Sequence, residues 1–312
     1  MPLDFLPVLA DDQLEQDLRR LVALGRDEDV GASVDVTSWS IIPAESRGTC
    51  VLRARQEGVL AGIILVPWIL DTLGVDLRFT TSARDGQPIA AGMELGVLSG
   101  NVRDLLLAER LVLNIVARLC GVATLTAKYV ARIEGSGCGV YDTRKTTAGW
   151  RRLEKYAVRC GGGRNHRRGL DDAILIKDNH LALAGAAGQP LSPGIAIQRA
   201  RTWLTERNRA FSLEPRMILE IEVDSLAQLA SALAEEPDIV LLDNFSLADL
   251  HAGVAMRNRE APDVQLEASG GITIDTIATV AATGVDRISC GALTHQATWL
   301  DLGLDWAEDS TS

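Results

Sequence analysis

Short apolar runs alternate with helical stretches through the second half of the chain. Near-continuous apolar runs are typical of strands covered on both faces, and their alternation with helices predicts parallel strands joined by right-handed crossovers. The runs fall in GCGVYDTRKT (137–146), DAILIKDN (172–179), RMILEIEVD (216–224), PDIVLLDN (237–244), VQLEASGG (264–271) and DRISCGAL (286–293). The later helical stretches are DSLAQLASALAEE (224–236), SLADLHAGVAMRN (246–258) and TIDTIATVAATG (273–284). We therefore predict an α/β fold containing an incomplete parallel β/α barrel of six to seven strands.

A doubly wound open sheet is the main alternative for these strands. The dinucleotide-binding form of that fold carries a G-x-G-x-x-G sequence after its first strand. No such sequence follows the run at 137–146. The barrel is therefore the preferred prediction.

The N-terminal part has a different pattern. Leucines at three- and four-residue spacings predict a helix over residues 12–25, and alternation predicts a strand within 48–62. Residues 76–100 indicate two strands around the turn RDGQ. A long helical region over 103–133 is expected to be interrupted near Gly121. This part is predicted to be α+β, with largely antiparallel strands.

Composition excludes several classes of protein. The 312 residues carry a net charge of −11, which argues against binding to nucleic acid. The most apolar stretch, residues 59–70, is shorter than the roughly 20 residues of a membrane span, and no basic secretory signal precedes it. We expect a cytoplasmic protein without a membrane segment. Five scattered cysteines without a C-x-x-C pair argue against a disulfide framework or a zinc site: Cys50, Cys120, Cys138, Cys160 and Cys290.

Polar or small residues follow every apolar run. Because the carboxyl ends of barrel strands meet at one mouth, where catalytic residues are placed, these side chains are expected to lie together. In chain order they are Asp142, Thr143, Arg144 and Lys145; Lys177, Asp178 and Asn179; Glu220 and Glu222; Asp243 and Asn244; Glu267, Ser269 and Gly270; and Ser289 and Gly291. Six strand ends of this kind form a pattern that a single one would not.

Charges of opposite sign are separated along the chain. The window from Arg144 to Lys177 contains ten Lys and Arg and three acidic residues, a net charge of +7. Arginine suits carboxylate and phosphate, while acidic side chains suit Mg²⁺, sugar hydroxyls or a developing cation. The glycines at 161–163, and the sequences SGG (269–271) and CGA (290–292), suit close approach to anions. We predict a substrate with several anionic groups, a ribose-like part and a phosphate.

Several of these residues also have a purely structural interpretation. The basic residues of one helix have the spacing of a solvated face. His180 could satisfy backbone groups at a strand end, and the glycines could simply give loops flexibility. The helical basic residues are Arg151, Arg152, Lys155 and Arg159.

With these residues assembled, the chain resembles the quinolinate phosphoribosyltransferase family. The resemblance rests above all on the pairing of DTRKT (142–146) with HRRGLDDAILIKDNH (166–180). Other matching segments, in family order, are AERLVLNIVARLCGVAT (108–124), EIEVDSL (220–226), IVLLDNF (239–245), LEASGGI (266–272) and ISCGALTHQ (288–296). Residues 184–215 run longer than is usual in the family.

The resemblance implies an activity and a domain arrangement. Family members make nicotinic acid mononucleotide, CO₂ and pyrophosphate from quinolinate and phosphoribosyl pyrophosphate with Mg²⁺, a step in NAD biosynthesis. It implies an N-terminal open-faced sandwich over residues 1–115, with 296–312 packing on it, and a barrel over 116–295. It also implies a homodimer in which Arg110 of the partner subunit completes the site.

Site residues are carried over by the same resemblance. The carboxylates of quinolinate would lie among Arg144, His166, Arg167 and Lys177. Catalytic roles fall to Lys145 on the pyrophosphate side and to Glu222 and Asp243, which would hold the ribose, directly or through Mg²⁺. The phosphate-binding residues would be Ser269, Gly270, Gly291 and His295.

Three other functions compete with this one. A phosphoribosyltransferase-like paralogue associated with molybdenum transport shares the fold and part of the site. A barrel lyase could use Lys145 or Lys177 as a Schiff base, which requires a lysine among apolar neighbours. A non-catalytic anion-binding protein is the third, and the acids Glu222 and Asp243 disfavour it.

Overall fold

The computed structural model describes residues 4–185, 189–211 and 217–307. Within them the helices are α1 (Asp12–Asp29), α2 (Val36–Ile41), α3 (Val66–Leu73), α4 (Val102–Arg132), α5 (Arg151–Cys160), α6 (Asp178–Ala184), α7 (Pro193–Phe211), α8 (Leu226–Leu233), α9 (Leu247–Glu260), α10 (Ile277–Ala281) and α11 (Ala292–His295). The strands are β1 (Arg47–Ala54), β2 (Gly58–Val59), β3 (Leu77–Thr80), β4 (Pro88–Ile89), β5 (Glu94–Asn101), β6 (Gly139–Tyr141), β7 (Ala173–Ile176), β8 (Ile218–Val223), β9 (Ile239–Asp243), β10 (Gln265–Ser269), β11 (Arg287–Ser289) and β12 (Leu302–Trp306).

The chain folds into two compact units. The barrel unit consists of the segment that ends at Leu6, with Lys128–Arg144 and Arg164–Ala292. The sandwich unit consists of Pro7–Ala127, Lys145–Gly163 and the residues from Leu293 onward. The domain boundaries expected at residues 115 and 295 stay a prediction.

In its described residues, the barrel unit contains six parallel strands in the order β6-β11-β10-β9-β8-β7. Each strand pairs with the next one in sequence, except that the first, β6, pairs with the last, β11. This is the cyclic order of a β/α barrel that is opened between β6 and β7, and no strand pairing closes that gap in the described residues. The predicted incomplete barrel is confirmed, with six strands.

A short extended segment lies along the open edge of β6. Tyr141 and Arg164 form an isolated parallel bridge, in which the N–H of Arg164 donates to Val140 at 2.8 Å and the N–H of Asp142 donates to Arg164 at 3.1 Å. The residues that follow, Asn165 to Arg167, are therefore held beside the opening of the barrel.

Along β7, β8 and β9, the interior of the barrel unit changes from apolar to polar. At the amino ends, Ala173, Ile218 and Ile239 pack with Phe5 in one buried cluster. Because residues two apart share a face of a strand, Glu220 lies one layer above Ile218, and Glu222 lies one layer higher. On these strands, apolar side chains lie at the amino ends and charged side chains lie nearer the carboxyl ends.

The sandwich unit contains an antiparallel sheet in the order β12-β1-β5-β3. The two strands expected around the turn RDGQ are present as β3 and β5, which pair antiparallel. The short strand β4, which lies between them in the sequence, pairs with β2.

Helix α4 runs without a break, so the interruption expected near Gly121 was wrong. A Cβ atom at Gly121 would lie 2.1 Å from the carbonyl oxygen of Thr298. The glycine therefore permits a close contact with the backbone of a distant segment rather than ending the helix.

The solvated face expected on α5 is only partly correct. Lys155 has no exposed surface, and its helical neighbours Leu153 to Val158 are all buried. Most residues of this helix are buried, so the spacing of its basic residues did not reveal which of them faces solvent.

Two structural observations bear on other sequence predictions. None of the helices within residues 4–185, 189–211 and 217–307 has both the length and the apolarity needed to cross a bilayer. In the long 184–215 segment, α7 covers residues 193–211, while 186–188 and 212–215 lie outside the described residues.

Candidate functional site

Lys177 and Glu222 meet at the carboxyl ends of β7 and β8. The register pairs Ile176 with Ile221, which brings the following residues side by side. Lys177 Nζ donates to Glu222 Oε2 at 2.5 Å. The lysine side chain is 43% exposed and the glutamate side chain 14%. The predicted basic and acidic groups therefore touch at this edge of the sheet.

The sharp end of β7 has a structural cause. Lys177 is the N-cap of α6, and its N–H donates to His180 Nδ1 at 2.9 Å. The structural interpretation of His180 is thus correct, because the ring satisfies a backbone group where the strand turns into the helix.

Asp243 ends the neighbouring strand β9 on the same face as Glu222. Register places Leu241 beside Glu222 and Asp243 beside Ser269 on β10. Asn244 Nδ2 donates to Asp243 Oδ2 at 2.7 Å. Two carboxylates and a hydroxyl thus lie on three adjacent strand ends.

Gly270 occupies a turn that excludes other residues. Its φ is +100°, and a Cβ atom there would lie 2.2 Å from Asn244 Oδ1. Asn244 also has a positive φ, +56°, and its N–H donates to the Ser269 carbonyl at 2.9 Å. The backbone at the ends of β9 and β10 is therefore closely packed and conformationally fixed.

Two guanidinium groups, those of Arg144 and Arg167, influence each other on the basic side. Arg167 is 5% exposed, and its Nη1 donates to the Ala173 carbonyl at 3.3 Å. Burial lowers the pKa of Arg167, and the positive charge of Arg144 lowers it further. An anion bound beside this pair would relieve the repulsion between the two cations.

Asp142 fixes the segment that carries the buried cations. It has no exposed surface, and it accepts hydrogen bonds from Asn165 Nδ2 at 2.6 Å and from the His166 N–H at 2.8 Å. The carboxylate at the end of β6 therefore sets the position of Arg167.

His166 lies in the barrel interior with both ring nitrogens engaged. Nδ1 accepts the N–H of Arg167 at 2.8 Å. Nε2 lies 3.0 Å from Glu220 Oε2 and 3.5 Å from Glu267 Oε1. Burial lowers the pKa of His166, but the charges of the two glutamates outweigh burial and raise the pKa above its ordinary value. The ring thus connects the interior carboxylates to the backbone of Arg167.

A buried charge network continues from this histidine toward the amino ends of the strands. Arg287, 1% exposed, donates from Nε to Glu267 Oε2 at 2.9 Å and from Nη1 to Asp4 Oδ1 at 3.2 Å. Its guanidinium lies over the ring of Tyr141, 3.7 Å from the centroid. His166, Glu220 and Glu267 are close enough to share a metal ion, but Arg287 already balances one of the two carboxylates.

Sequence reasoning did not assign Asp4, Phe5 or Arg287 to the site. It placed Glu220 and Glu267 at the mouth of the barrel, whereas the structure buries both carboxylates in the barrel interior. Arg287 did give a signal, because it is a charged residue inside an apolar strand. Asp4 and Phe5 gave none, since two residues near the start of the sequence carry no periodicity.

The remaining residues predicted for the site are Gly291, Lys145, His295 and Arg110. Gly291 follows β11 in the barrel unit and is half-buried. Lys145 and His295 belong to the sandwich unit and are exposed, and Thr294 Oγ1 donates to the Lys145 carbonyl at 2.7 Å. The side chain of Arg110 is 65% exposed. The roles assigned to these residues stay predictions.

Both parts of the chain match models of one family. The model described as quinolinate phosphoribosyl transferase, C-terminal domain, matches residues 122–305. The model described as quinolinate phosphoribosyl transferase, N-terminal domain, matches residues 35–120. Together they cover most of the chain.

Individual proteins agree with the family models. A nicotinate-nucleotide pyrophosphorylase (carboxylating) from Mycobacterium leprae is 41% identical over 280 residues, covering 89% of this chain and 93% of that protein. A probable enzyme of the same name from Synechocystis is 35% identical, covering 89% and 88%. The solved nicotinate-nucleotide pyrophosphorylase from Francisella tularensis has a TM-score of 0.83 at 35% identity, covering 97% of this chain and all of that one. The barrel order, the charged strand ends and these matches agree that the chain belongs to the quinolinate phosphoribosyltransferase family.

Proposed function

We propose that this chain transfers the phosphoribosyl group of phosphoribosyl pyrophosphate to quinolinate, with loss of CO₂, to give nicotinic acid mononucleotide and pyrophosphate. The observation that carries the proposal is the contact of Lys177 with Glu222. A doubly anionic pyridine and a ribose that becomes cationic require such a boundary between basic and acidic groups.

The basic side would hold quinolinate. Arg144, Arg167 and Lys177 would pair with its two carboxylates, and arginine adds bidentate geometry. His166 would act mainly through the backbone of Arg167, because both of its ring nitrogens have partners inside the barrel. With both carboxylates of quinolinate held, its ring nitrogen would lie in line with the ribose carbon that it attacks.

The acidic side would stabilise the sugar as it becomes positive. When pyrophosphate leaves, the ribose carbon gains oxocarbenium character. Glu222 and Asp243 supply fixed negative charge on adjacent strands facing that carbon, which lowers the barrier. The nitrogen of quinolinate then forms the new bond, and no covalent intermediate with the protein is needed.

Loss of CO₂ follows from the product of that step. The ribosylated nitrogen makes the ring cationic, so the ring can take up the electron pair of the adjacent carbon–carboxylate bond. The ring carbon then accepts a proton. The second carboxylate, held by the remaining cations, stays in the product.

The phosphate groups would lie at other strand ends. Ser269, Gly270 and Gly291 would bind the 5′-phosphate, and the fixed turn at Gly270 suits close approach of an anion to the backbone. Lys145 would stabilise the departing pyrophosphate, and His295 would lie near the phosphates. The carboxylates of Glu222 and Asp243 are ligands of the kind that Mg²⁺ prefers. When bound there with substrate, Mg²⁺ would neutralise phosphate charge.

The assembly and the location are further proposals. Arg110, exposed in the single chain, would complete the site of the partner subunit in a homodimer. The cytoplasmic location stays a prediction.

The rival activities fit the site less well. A Schiff-base lysine needs apolar neighbours, whereas Lys177 contacts a carboxylate. The presence of Arg144 with His166, Arg167 and Lys177 favours quinolinate over the substrate of the molybdenum-associated paralogue.

One assay tests the proposed function directly. Purified protein is mixed with carboxyl-labelled quinolinate, phosphoribosyl pyrophosphate and Mg²⁺, and released CO₂ is measured. We expect CO₂ and nicotinic acid mononucleotide in equal amounts, and no product when nicotinate replaces quinolinate. Absence of CO₂, or equal use of nicotinate, would contradict the proposal.

A further inference from the structure

We propose that Glu154 and Arg118 form a positioning pair that fixes the two segments carrying Lys145 and His295, and thereby determines pyrophosphate recognition. The inference rests on the proposed function, in which both residues serve the phosphate side. Neither Glu154 nor Arg118 emerged from the sequence as a site residue.

Glu154 is a buried carboxylate that holds the segment after Lys145. The residue has no exposed surface. The N–H of Thr147 donates to Glu154 Oε2 at 3.1 Å, and the hydroxyl Oγ1 of Thr147 donates to Glu154 Oε1 at 3.0 Å. A residue of helix α5 therefore fixes both the backbone and the side chain two positions beyond Lys145.

Arg118 joins this carboxylate to the segment around His295. Its Nη2 donates to Glu154 Oε1 at 2.6 Å, and its Nε donates to the same oxygen at 3.2 Å. The other contacts of the guanidinium are the carbonyls of Thr294 at 2.6 Å and Ala297 at 2.9 Å. These carbonyls lie on either side of His295 and Gln296, so the arginine fixes the turn that follows α11.

A hydrogen bond also links the Lys145 segment directly to the His295 segment. Thr294 Oγ1 donates to the carbonyl of Lys145 at 2.7 Å. The chain of contacts thus runs from Lys145 through Thr294, Arg118 and Glu154 to Thr147. The distance between the backbones of Lys145 and Thr294 is set by this network.

Because the ion pair of Glu154 with Arg118 is buried, we assign it a role in positioning rather than in stabilising the fold. Removing two charges from water costs about as much as their attraction returns, so a buried ion pair is weak support for stability. It does impose a defined geometry on the groups bonded to it. Lys145 and His295 are exposed, and the network bonds to the backbone of the segments that carry them.

Two variants test the inference at different points of the network. Glu154→Gln keeps the shape of the side chain and removes its charge, and Thr294→Val removes the hydroxyl that donates to the carbonyl of Lys145. We expect the KM for phosphoribosyl pyrophosphate and the inhibition constant of pyrophosphate to rise about tenfold in Glu154→Gln, since bonds to charged groups contribute about that factor or more. A rise of about threefold is expected in Thr294→Val. The KM for quinolinate should stay within twofold in both variants.

A matched control lies on the same helix. Arg152, also on α5, forms an ion pair with Asp17 at 3.1 Å, outside the network. Arg152→Gln should leave all three constants unchanged. The melting temperature of each variant shows whether a change in its constants comes from unfolding or from displaced segments. If Glu154→Gln does not fold, Thr294→Val, which alters no charge, still tests the positioning role.

The outcomes separate this inference from the proposed function. If the wild type releases CO₂ from quinolinate but Thr294→Val keeps the wild-type pyrophosphate constant, or loses affinity for both substrates equally, the positioning role is wrong. If the wild type releases no CO₂, the proposed function fails. Calorimetric titration of pyrophosphate into each variant then still decides whether the pair governs pyrophosphate binding.

Discussion

The ring of Phe5 stacks on the imidazole of His166, with centroids 4.4 Å apart and planes inclined by 27°. The neighbouring residue, Asp4, accepts hydrogen bonds from Tyr141 at 3.0 Å and from Arg287 at 3.2 Å. Phe5 is therefore part of the barrel interior, while Asp4 is exposed and bonds to buried side chains from outside it. The orientation of His166, and through it the backbone of Arg167, depends on these two residues.

Replacing Phe5 with alanine should affect both stability and quinolinate binding. Truncating a buried phenylalanine costs roughly 3 kcal/mol of unfolding free energy, and the imidazole loses its stacking partner. Urea unfolding and calorimetric titration of quinolinate measure the two effects. Phe5→Leu retains most of the volume and should recover most of the stability but less of the affinity. Equal recovery of both would show that the stacking has no part in binding.

Lys177→Ala should weaken quinolinate binding about thirtyfold. It removes a cation from a substrate carboxylate and leaves Glu222 without its 2.5 Å partner, a loss of about 2 kcal/mol. Calorimetric titration of quinolinate measures the change. Lys128, exposed on α4, is a suitable control, since Lys128→Ala should bind normally. Wild-type affinity in Lys177→Ala would refute the assigned role.

Glu222→Gln should lower turnover more than substrate affinity. The amide can still accept a hydrogen bond from Lys177, but the negative charge facing the developing cation is lost, at a cost of about a hundredfold in rate. Rapid-quench measurement of a single turnover isolates this step. Asp224, exposed just beyond the end of β8, provides the control, and Asp224→Asn should react at the wild-type rate. A normal single-turnover rate in Glu222→Gln would remove it from the mechanism.

The His166 cluster predicts a specific dependence of stability on pH. Glu220 and Glu267 raise the pKa of His166 above its unfolded value, so protonated His166 stabilises the fold. This stabilisation is complete below the unfolded pKa and is lost as the pH rises through the folded pKa. Glu220→Gln should lower the pKa of His166 and flatten that decline, as read by NMR titration and by urea unfolding at several pH values. An unchanged pKa would show that Glu220 does not govern the ring.

Protonation of His166 should also affect substrate binding, in the opposite direction. A proton on Nδ1 displaces the N–H of Arg167, which now donates to that atom at 2.8 Å. Quinolinate affinity is therefore expected to fall as the pH decreases through the pKa of His166, while stability rises.

Gly270→Ala should impair phosphate binding beyond the cost of backbone strain. A methyl group there would lie 2.2 Å from Asn244 Oδ1, and positive φ costs roughly 1 kcal/mol for alanine. Gly271→Ala is the matched control, because Gly271 also has a positive φ but no atom within 4 Å of the added methyl. The KM for phosphoribosyl pyrophosphate should rise about tenfold more in the first variant than in the second. Equal effects would mean that only φ matters.

The sequence predicted the barrel because its strands are defined locally. Apolar runs such as AILI before Lys177 and IVLLD before Asn244 end at the edge where the structure places the charges. Parallel strands with short helical crossovers have few possible orders, so the pattern of elements was enough to indicate the barrel.

The errors arose where long-range contacts override a local signal. Gly121 has the low helix propensity that suggests a break, but its actual partner, Thr298, is far along the chain. The buried state of Lys155 likewise depends on elements that no window of the sequence contains.

The pairing of β6 with β11 has a consequence for synthesis. When β6 leaves the ribosome, its only strand partner in the described sheet has not yet been made, while β7 to β10 can pair in the order in which they emerge. Contacts between residues so distant in sequence form slowly, because a large loop must close first. The edge of β6 that pairs with β11 must therefore wait for its partner until almost all of the protein has been translated, and that interval is when a chaperone would be most useful.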